Sequence, residues 1–522
     1  MYALLVPALA AIAATMVFVI HPLYVYFRDE KDLRKYPAMN WLAGISNLGF
    51  MYEAAVGFRS DKLYRLHQIH PVIRTGPNAL SFAGGQAIKD IYGHGSPCNK
   101  DTFYSTLAGS HHHLADVVDR PEHARKRKVL SAAYALKNLE DWEFKVADKT
   151  ERFLRACDRA CTKPLPADTC PDAADLTFDY RQYTNFFTLD AIADIGLSER
   201  LGFLDQGSDE CEAEEMDGVI KRVRFREALH ATGLAQTRLV WAAGWYGFNV
   251  WASRLLSRRF RQLWRLNTHW NGIVYRRARV RLDRYKAGEP LSDFFQSLMH
   301  DRTGRPHALD WGEIVAEVSI MMNAGSDTTA LAMVNVMYHL LRHPDVLAKL
   351  RIEVDGALQP DEVVAPYQKV KYLPYLRAVL DESLRLTPPT TFGLPRRTPP
   401  EGVMVGSEHI AGDTTVSISA WVAHRDPVVF PDPERFMPER WLGDEARELQ
   451  SGFVAFSTGA RGCIGRNISY LEQTVLLASV VHRYELALPS ENWEPERWET
   501  TNYMMKEMPV KVWRREVELK EE

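Results

Sequence analysis

Between residues 456 and 465 the chain reads Phe456-Ser-Thr-Gly459-Ala-Arg461-Gly-Cys463-Ile-Gly465. This stretch restricts the possible folds more than any other. It sets one cysteine in a glycine-punctuated loop, with an arginine two residues before it and an apolar segment, Ile464 to His482, that reads as a helix after it. Gly459 and Gly465 omit a Cβ where backbone could approach a planar ligand. A helix start next to the sulfur offers free N–H groups and aligned peptide dipoles, both of which favour a thiolate. Arg461 supplies a permanent cation suited to a carboxylate. The set suits a thiolate held against a flat, anionic cofactor. A buried structural cysteine, the usual fate of a lone thiol, would need none of these neighbours.

The rest of the composition is ordinary. The 522 residues are 46% hydrophobic and 25% charged, and no linker, charge block or repeat divides them, so one large domain is expected. A net charge of −3 implies no polyanionic partner and excludes nucleic acid. Six cysteines are too sparse for a disulfide scaffold and lack metal-ligand spacing, which fits a reducing compartment. His111-His112-His113 reads as a surface loop rather than a metal site.

The N-terminus stands apart. Tyr2 to Ile20 carries no charge, and the apolar run continues to Phe27. At 1.5 Å per residue such a helix spans about 28–39 Å, enough for a bilayer core. Arg28, Lys31, Arg34 and Lys35 follow it and no basic residue precedes it, so the body is expected on the cytosolic side. Residues 1–27 are read as a retained single-pass anchor and 28–522 as the functional domain. The alternative is a cleaved signal, with small-residue sites at Ala8-Leu-Ala10 and Ala11-Ile-Ala13.

Most of residues 60–385 read as helix, with strand-like pieces at Val72–Arg74, Ala79–Phe82, Val403–Val405 and Thr414–Ile418, so the fold is expected to be mainly α with a small β-rich region. The clearest helix runs from about Trp311 to Arg342, opened by an Asp310/Glu313 capping pair and closed by Pro344. Its middle, Ala324-Gly325-Ser326-Asp327-Thr328-Thr329, is weakened by glycine entropy and threonine crowding, a defect that makes sense if something must fit beside it. Residues 221–286 carry sixteen Lys/Arg against two acids, interleaved with tryptophans. Either a membrane-facing surface or ordinary solvated helices would give that pattern.

Taken together, these segments resemble the cytochrome P450 family. The cysteine loop fills all fixed positions of F-x-x-G-x-R-x-C-x-G, the haem-binding signature. The helix centre fits [AG]-G-x-[DE]-T-[TS], the oxygen-activation motif. Glu382-Ser-Leu-Arg385 resembles E-x-x-R, and Pro433-Glu-Arg-Phe436-Met-Pro438-Glu439-Arg440-Trp441 resembles the meander that follows it. Leu394-Pro-Arg-Arg-Thr-Pro and His123-Ala-Arg-Lys-Arg127 look like filamentous-fungal members of the benzoate hydroxylase and pisatin demethylase groups.

The resemblance implies the P450 fold with haem b (iron protoporphyrin IX) bound through Cys463 as axial iron ligand. It implies Phe456, Gly459, Arg461 and Gly465 around the haem, and His123, Arg127 and Arg396 on its propionates, His123 standing where many relatives have tryptophan. Asp327 and Thr328 would be the catalytic pair that moves protons to dioxygen. Glu382, Arg385 and a second arginine would form a structural ionic set, with Arg440 favoured over Arg435. No flavin or nicotinamide segment is evident, so electrons are expected from a separate NADPH-cytochrome P450 reductase that could dock on Arg125–Lys128. The implied activity inserts one oxygen atom from O2 into a hydrophobic small molecule, an intermediate of fungal secondary metabolism, at the endoplasmic reticulum membrane. A haem-thiolate isomerase or dehydratase and a non-enzymatic haem protein are the alternatives. Met321–Asn323, Phe103, Tyr104 and Thr390–Phe392 are the expected pocket walls.

Overall fold

A computed structural model describes residues 2–516 except 167, 168, 291 and 302, so positions 517–522 of the expected domain lie outside the described residues. The N-terminal helix is continuous across Tyr2–Thr15, a π-helical turn at Met16–Ile20, and His21–Arg28. Its Ala8–Arg28 part has mean hydropathy 2.0 and is long and apolar enough to cross a membrane. It stops at Asp29, whose φ of +46° cannot continue a helix. Lys31 then ties the chain to the body, its Nζ donating to Asn78 Oδ1 and to the Asp413 carbonyl, each at 2.9 Å.

Eight helices build the site: α1 (Arg120–Leu130), α2 (Tyr180–Leu197), α3 (Phe225–Leu239), α4 (Arg258–Lys286), α5 (Trp311–Ala324), α6 (Asp327–Arg342), α7 (Pro374–Leu386) and α8 (Arg466–Arg483). Three of them, α2, α6 and α8, are buried almost all round and pack into one core, α6 lying against both of the others. Their buried faces also carry polar side chains such as Arg181, Asn185, Asp327 and Glu472, which need partners inside. A mixed sheet lies to one side in the order β1 (Val72–Gly76), β2 (Ala79–Phe82), β5 (Thr415–Ser417), β4 (Arg396–Arg397), β3 (Asn99–Lys100), with only β2 and β5 parallel.

Three expectations are revised. The helix expected across 311–342 is two, because Ser326 leaves helical geometry, at φ −96°, ψ −82°, just after Gly325. A side chain at Gly325 would sit 2.8 Å from Ile192, so the glycine lets the broken helix lie close on α2. Asp310 does cap α5, accepting from Glu313 N at 3.1 Å, but Glu313 does not reach back. Its carboxylate is taken instead by Arg125 and Lys126 of α1. Residues 210–214 and 220–224 form a hairpin inside a stretch read as helical, and Arg276 and Arg279 of α4 pair with its Glu212 and Glu214.

The basic, tryptophan-rich region divides between its two readings. Trp264 and Trp270 are core, while Trp245, Phe248, Trp251, Leu255 and Leu256 are exposed. Phe18 of the N-terminal helix lies 5.2 Å from the Trp245 ring.

Candidate active site

A cavity of about 420 Å³ lies where α5, α6, α8 and the cysteine loop converge. Cys463 lines it on one side, and Thr328, Gly325, Ala324 and Met321 line it at the helix break. The loop is fixed from below, where Cys463 N donates to the Phe456 carbonyl at 2.8 Å. The two loop glycines differ. Gly459, at φ +70°, does not reach the cavity; a Cβ there would fall 2.0 Å from the Tyr92 carbonyl oxygen. Its role is to let the loop cross the 92–93 backbone, not to clear a ligand. At Gly465 a Cβ would meet only Cys463 Sγ and Ile468, each at 3.8 Å, so nothing in the protein requires glycine there and the space it leaves opens beside the sulfur.

Cys463 is accessible to the cavity rather than to bulk water. Burial pushes its thiol up, and the opposing N–H groups of Gly465 and Arg466 and the charges of Arg127 and Arg466 do not overcome it. The helix start expected to favour a thiolate therefore does not suffice by itself. Coordination to a metal would complete it, because a bound cation deprotonates a thiol outright.

Five basic groups line the same cavity: Lys100, His123, Arg127, Arg396 and Arg461. Among the described residues none makes a salt bridge. Arg127 Nη1 donates to the Gly462 carbonyl at 2.8 Å, Arg461 to the carbonyls of Val117 and Val118, and Arg396 to the Tyr104 hydroxyl at 3.1 Å. Burial and the neighbouring arginines push Lys100 down to about 7 and His123 down to about 3. Burial and the charges of Arg396 and Arg120 take Arg461 down to about 10. Glu317 and Glu472 also line the cavity, but neither pairs with any of these five groups, and buried cations left without a paired counter-charge call for an anion. A flat ring carrying two carboxylates, with a metal facing the sulfur, fits both sides of this chamber.

The helix break supplies the other wall. Thr328 Oγ1 donates to the Ala324 carbonyl at 2.9 Å, so the hydroxyl serves an acceptor left near the broken turn. Asp327 lies just behind the wall, its side chain 7% exposed. Its Oδ1 accepts from Asn185 at 2.8 Å and Arg181 at 3.3 Å, and its Oδ2 from His230 Nε2 at 2.7 Å. Burial pushes this carboxyl up, but His230, Arg181 and Asn185 win and hold it well below the usual range. Thr329 donates to Ser469 at 3.0 Å.

Glu382 is sealed in an ionic set away from the cavity. Arg385 grips it with Nε and Nη2, both at 2.8 Å, and Arg440 Nε donates at 3.1 Å. Trp441 Nε1 and Met437 N donate too, each at 2.9 Å. Arg435 contributes only its carbonyl, which accepts from Arg385 at 3.1 Å and Arg440 at 3.5 Å.

Of the expected pocket walls, Tyr104, Met321, Thr390 and Phe392 line the cavity. Met322 is core, and Phe103 stacks behind on Trp241 at 4.8 Å. The basic run of α1 is divided: Arg125 pairs with Glu122 and Glu313, Lys126 is buried against Glu313 and Glu317, Arg127 turns inward, and Lys128 stays exposed. Lys100, Arg181, Asn185 and His230 carried no sequence signal, since each reaches the site from a remote element. His112 and His113 pair with Asp116, and no metal cluster occurs among the described residues.

Comparison with known proteins agrees with this geometry. The cytochrome P450 family profile matches residues 72–513. Benzoate 4-monooxygenase of Aspergillus niger is 30% identical over 504 residues, covering 94% of this chain and 95% of that protein. Tryprostatin B 6-hydroxylase of Aspergillus fumigatus is 27% identical, covering 88% and 76%. The crystal structure of the cytochrome P450DA haem domain superposes with a TM-score of 0.69 at 18% identity, over 88% of this chain and 93% of that one. The chain belongs to the cytochrome P450 family, the haem-dependent monooxygenases.

Proposed function

We propose that this chain is a membrane-anchored fungal monooxygenase that oxidises a hydrophobic small molecule in secondary metabolism, with electrons from NADPH-cytochrome P450 reductase. The observation that carries the reading is the chamber itself, with the Cys463 sulfur on one wall, unpaired cations around it and Thr328 at the helix break. In this reading Cys463 would hold the haem iron through its sulfur, and Phe456, Arg461 and Gly465 would shape the cavity wall on that side. His123, Arg127, Arg396 and Arg461, joined by Lys100, hold the two propionates. The bound haem supplies reductive activation of O2, and thiolate ligation favours O–O cleavage.

The protein's own residues do the rest. Thr328 offers a hydroxyl at the cavity wall, and Asp327 behind it supplies an acid–base group through which protons can pass. Leu298, Val318, Met321, Phe392 and Leu394 make the remaining wall apolar, which favours a hydrophobic substrate and excludes loose water. Glu382, Arg385 and Arg440 keep the backbone behind the haem in register. Residues 1–27 would anchor the 28–522 domain in the endoplasmic reticulum membrane, with the exposed aromatic and leucine side chains of residues 245–256 resting at the lipid headgroups. The resemblance to a benzoate 4-monooxygenase favours an aromatic substrate.

The test is spectroscopic first. Dithionite-reduced protein with carbon monoxide should give the red-shifted Soret band of a thiolate adduct, and Cys463→Ala should abolish it. An unchanged band in that variant sinks the assignment. Metabolite profiling with a fungal reductase, beginning with benzoate and other aromatic acids, then addresses the substrate.

A further inference from the structure

The three partners of Asp327 differ in chemistry. Burial takes Arg181 down to about 10, which still leaves it charged near neutrality, and the Asn185 amide does not ionise. Imidazole alone among them exchanges a proton near neutrality. Exposure sorts them in the same way. Arg181 and Asn185 are sealed, at 0% and 1%, whereas the His230 side chain is 25% exposed. The partners also divide between the two oxygens, with Arg181 and Asn185 on Oδ1 and His230 by itself on Oδ2. From the surface inward the order is His230, Asp327 Oδ2 and, one residue along α6, the cavity wall at Thr328.

We infer that His230 is the inlet through which Asp327 is supplied with protons from solvent, a positioning and relay residue of α3 facing the broken helix. In the step, the Nε2–H bond of the His230 imidazolium breaks and an O–H bond forms at the Asp327 carboxylate Oδ2, leaving a neutral ring. A hydronium ion of the solvent then restores the N–H bond and leaves as water, and no electrons move. Arg181 and Asn185 meanwhile hold Oδ1, so the carboxyl keeps its place as it gains and loses the proton. The inference rests on the relay role proposed above for Asp327.

The test compares wild type, His230→Gln and Asp327→Asn as haem-loaded full-length protein with reductase and no organic substrate. NADPH consumption is read in H2O and D2O. Glutamine can still donate a hydrogen bond to Oδ2 but cannot hand over a proton. His230→Gln should slow consumption by about tenfold or more and enlarge the solvent isotope effect. Its unfolding temperature and carbon-monoxide band should stay as in wild type. A wild-type rate and isotope effect in His230→Gln, beside a slowed Asp327→Asn, would put the inlet elsewhere. An unaffected Asp327→Asn would instead defeat the relay reading. A readout independent of turnover is 15N-histidine NMR. The His230 imidazole resonance should shift in Asp327→Asn, and an unmoved resonance would show no contact in solution and overturn the inference.

Discussion

Two buried carboxylates of this chain each gather cations, and they do so to opposite ends. Glu382 is fully sealed and receives five hydrogen bonds, from Arg385 twice, Arg440, Trp441 and the Met437 backbone. Every donor is one that never gives up its proton in a folded protein. Asp327 receives three, one of them from a quarter-exposed histidine. The first arrangement can only hold; the second can also exchange. Buried charge is costly unless satisfied, so what separates a brace from a relay is the presence of one titratable, water-reaching donor.

Glu382→Gln should break the contrast most severely. It leaves two guanidinium groups facing a neutral amide, at a cost of about 4 kcal/mol, measured by chemical denaturation together with loss of bound haem. Next is Asp327→Asn. The amide oxygen can still accept from Asn185 and Arg181, so stability should fall by only about 2 kcal/mol while NADPH consumption slows. Equal losses of stability at the two sites would remove the distinction.

A third expectation concerns the cations of the chamber. Burial and the neighbouring arginines lower Lys100 to about 7 in the fold, against an ordinary lysine value of 10.5. Between those values the unfolded chain binds the extra proton, so haem-free protein should gain stability as pH rises through this window. Below about pH 7 the contribution levels off. Lys100→Met should flatten the slope, and haem, bringing two carboxylates, should flatten it too; thermal unfolding from pH 6.5 to 10 checks both. The smallest effect is expected at Arg435→Ala, below about 0.5 kcal/mol, because only its carbonyl takes part. A cost matching that of Arg440→Ala would reverse the assignment of the two tandem arginines.

These elements also show what the sequence could reveal. The cysteine loop, the weakened helix centre and the Glu382/Arg385 pair are local patterns, each complete within one loop or helical turn, so their chemistry is readable from spacing. Arg440 could be favoured over Arg435 only by the order of two Pro-Glu-Arg repeats. His230 and Asn185 reach Asp327 across 97 and 142 residues, and no periodicity reports such a meeting. Lys100 is hidden in a two-residue strand whose position depends on pairing with Arg396. The 210–224 hairpin was obscured because its outward strand residues other than Ile220 are charged, and its small inward ones, Cys211 and Ala213, give little apolar alternation. Glu313 looked like half of a capping box, and a tertiary partner on α1 claimed it instead.

The left-handed turn at Gly459 has a consequence for engineering. The ligand loop is threaded over the end of the helix Gly85–Tyr92, and the crossing leaves no room for a methyl group. The ten-residue loop is therefore not a portable cassette. A chimera that imported it from a relative would have to import the Tyr92–Gly93 crossing as well, or the sulfur would be displaced from the metal it is meant to meet.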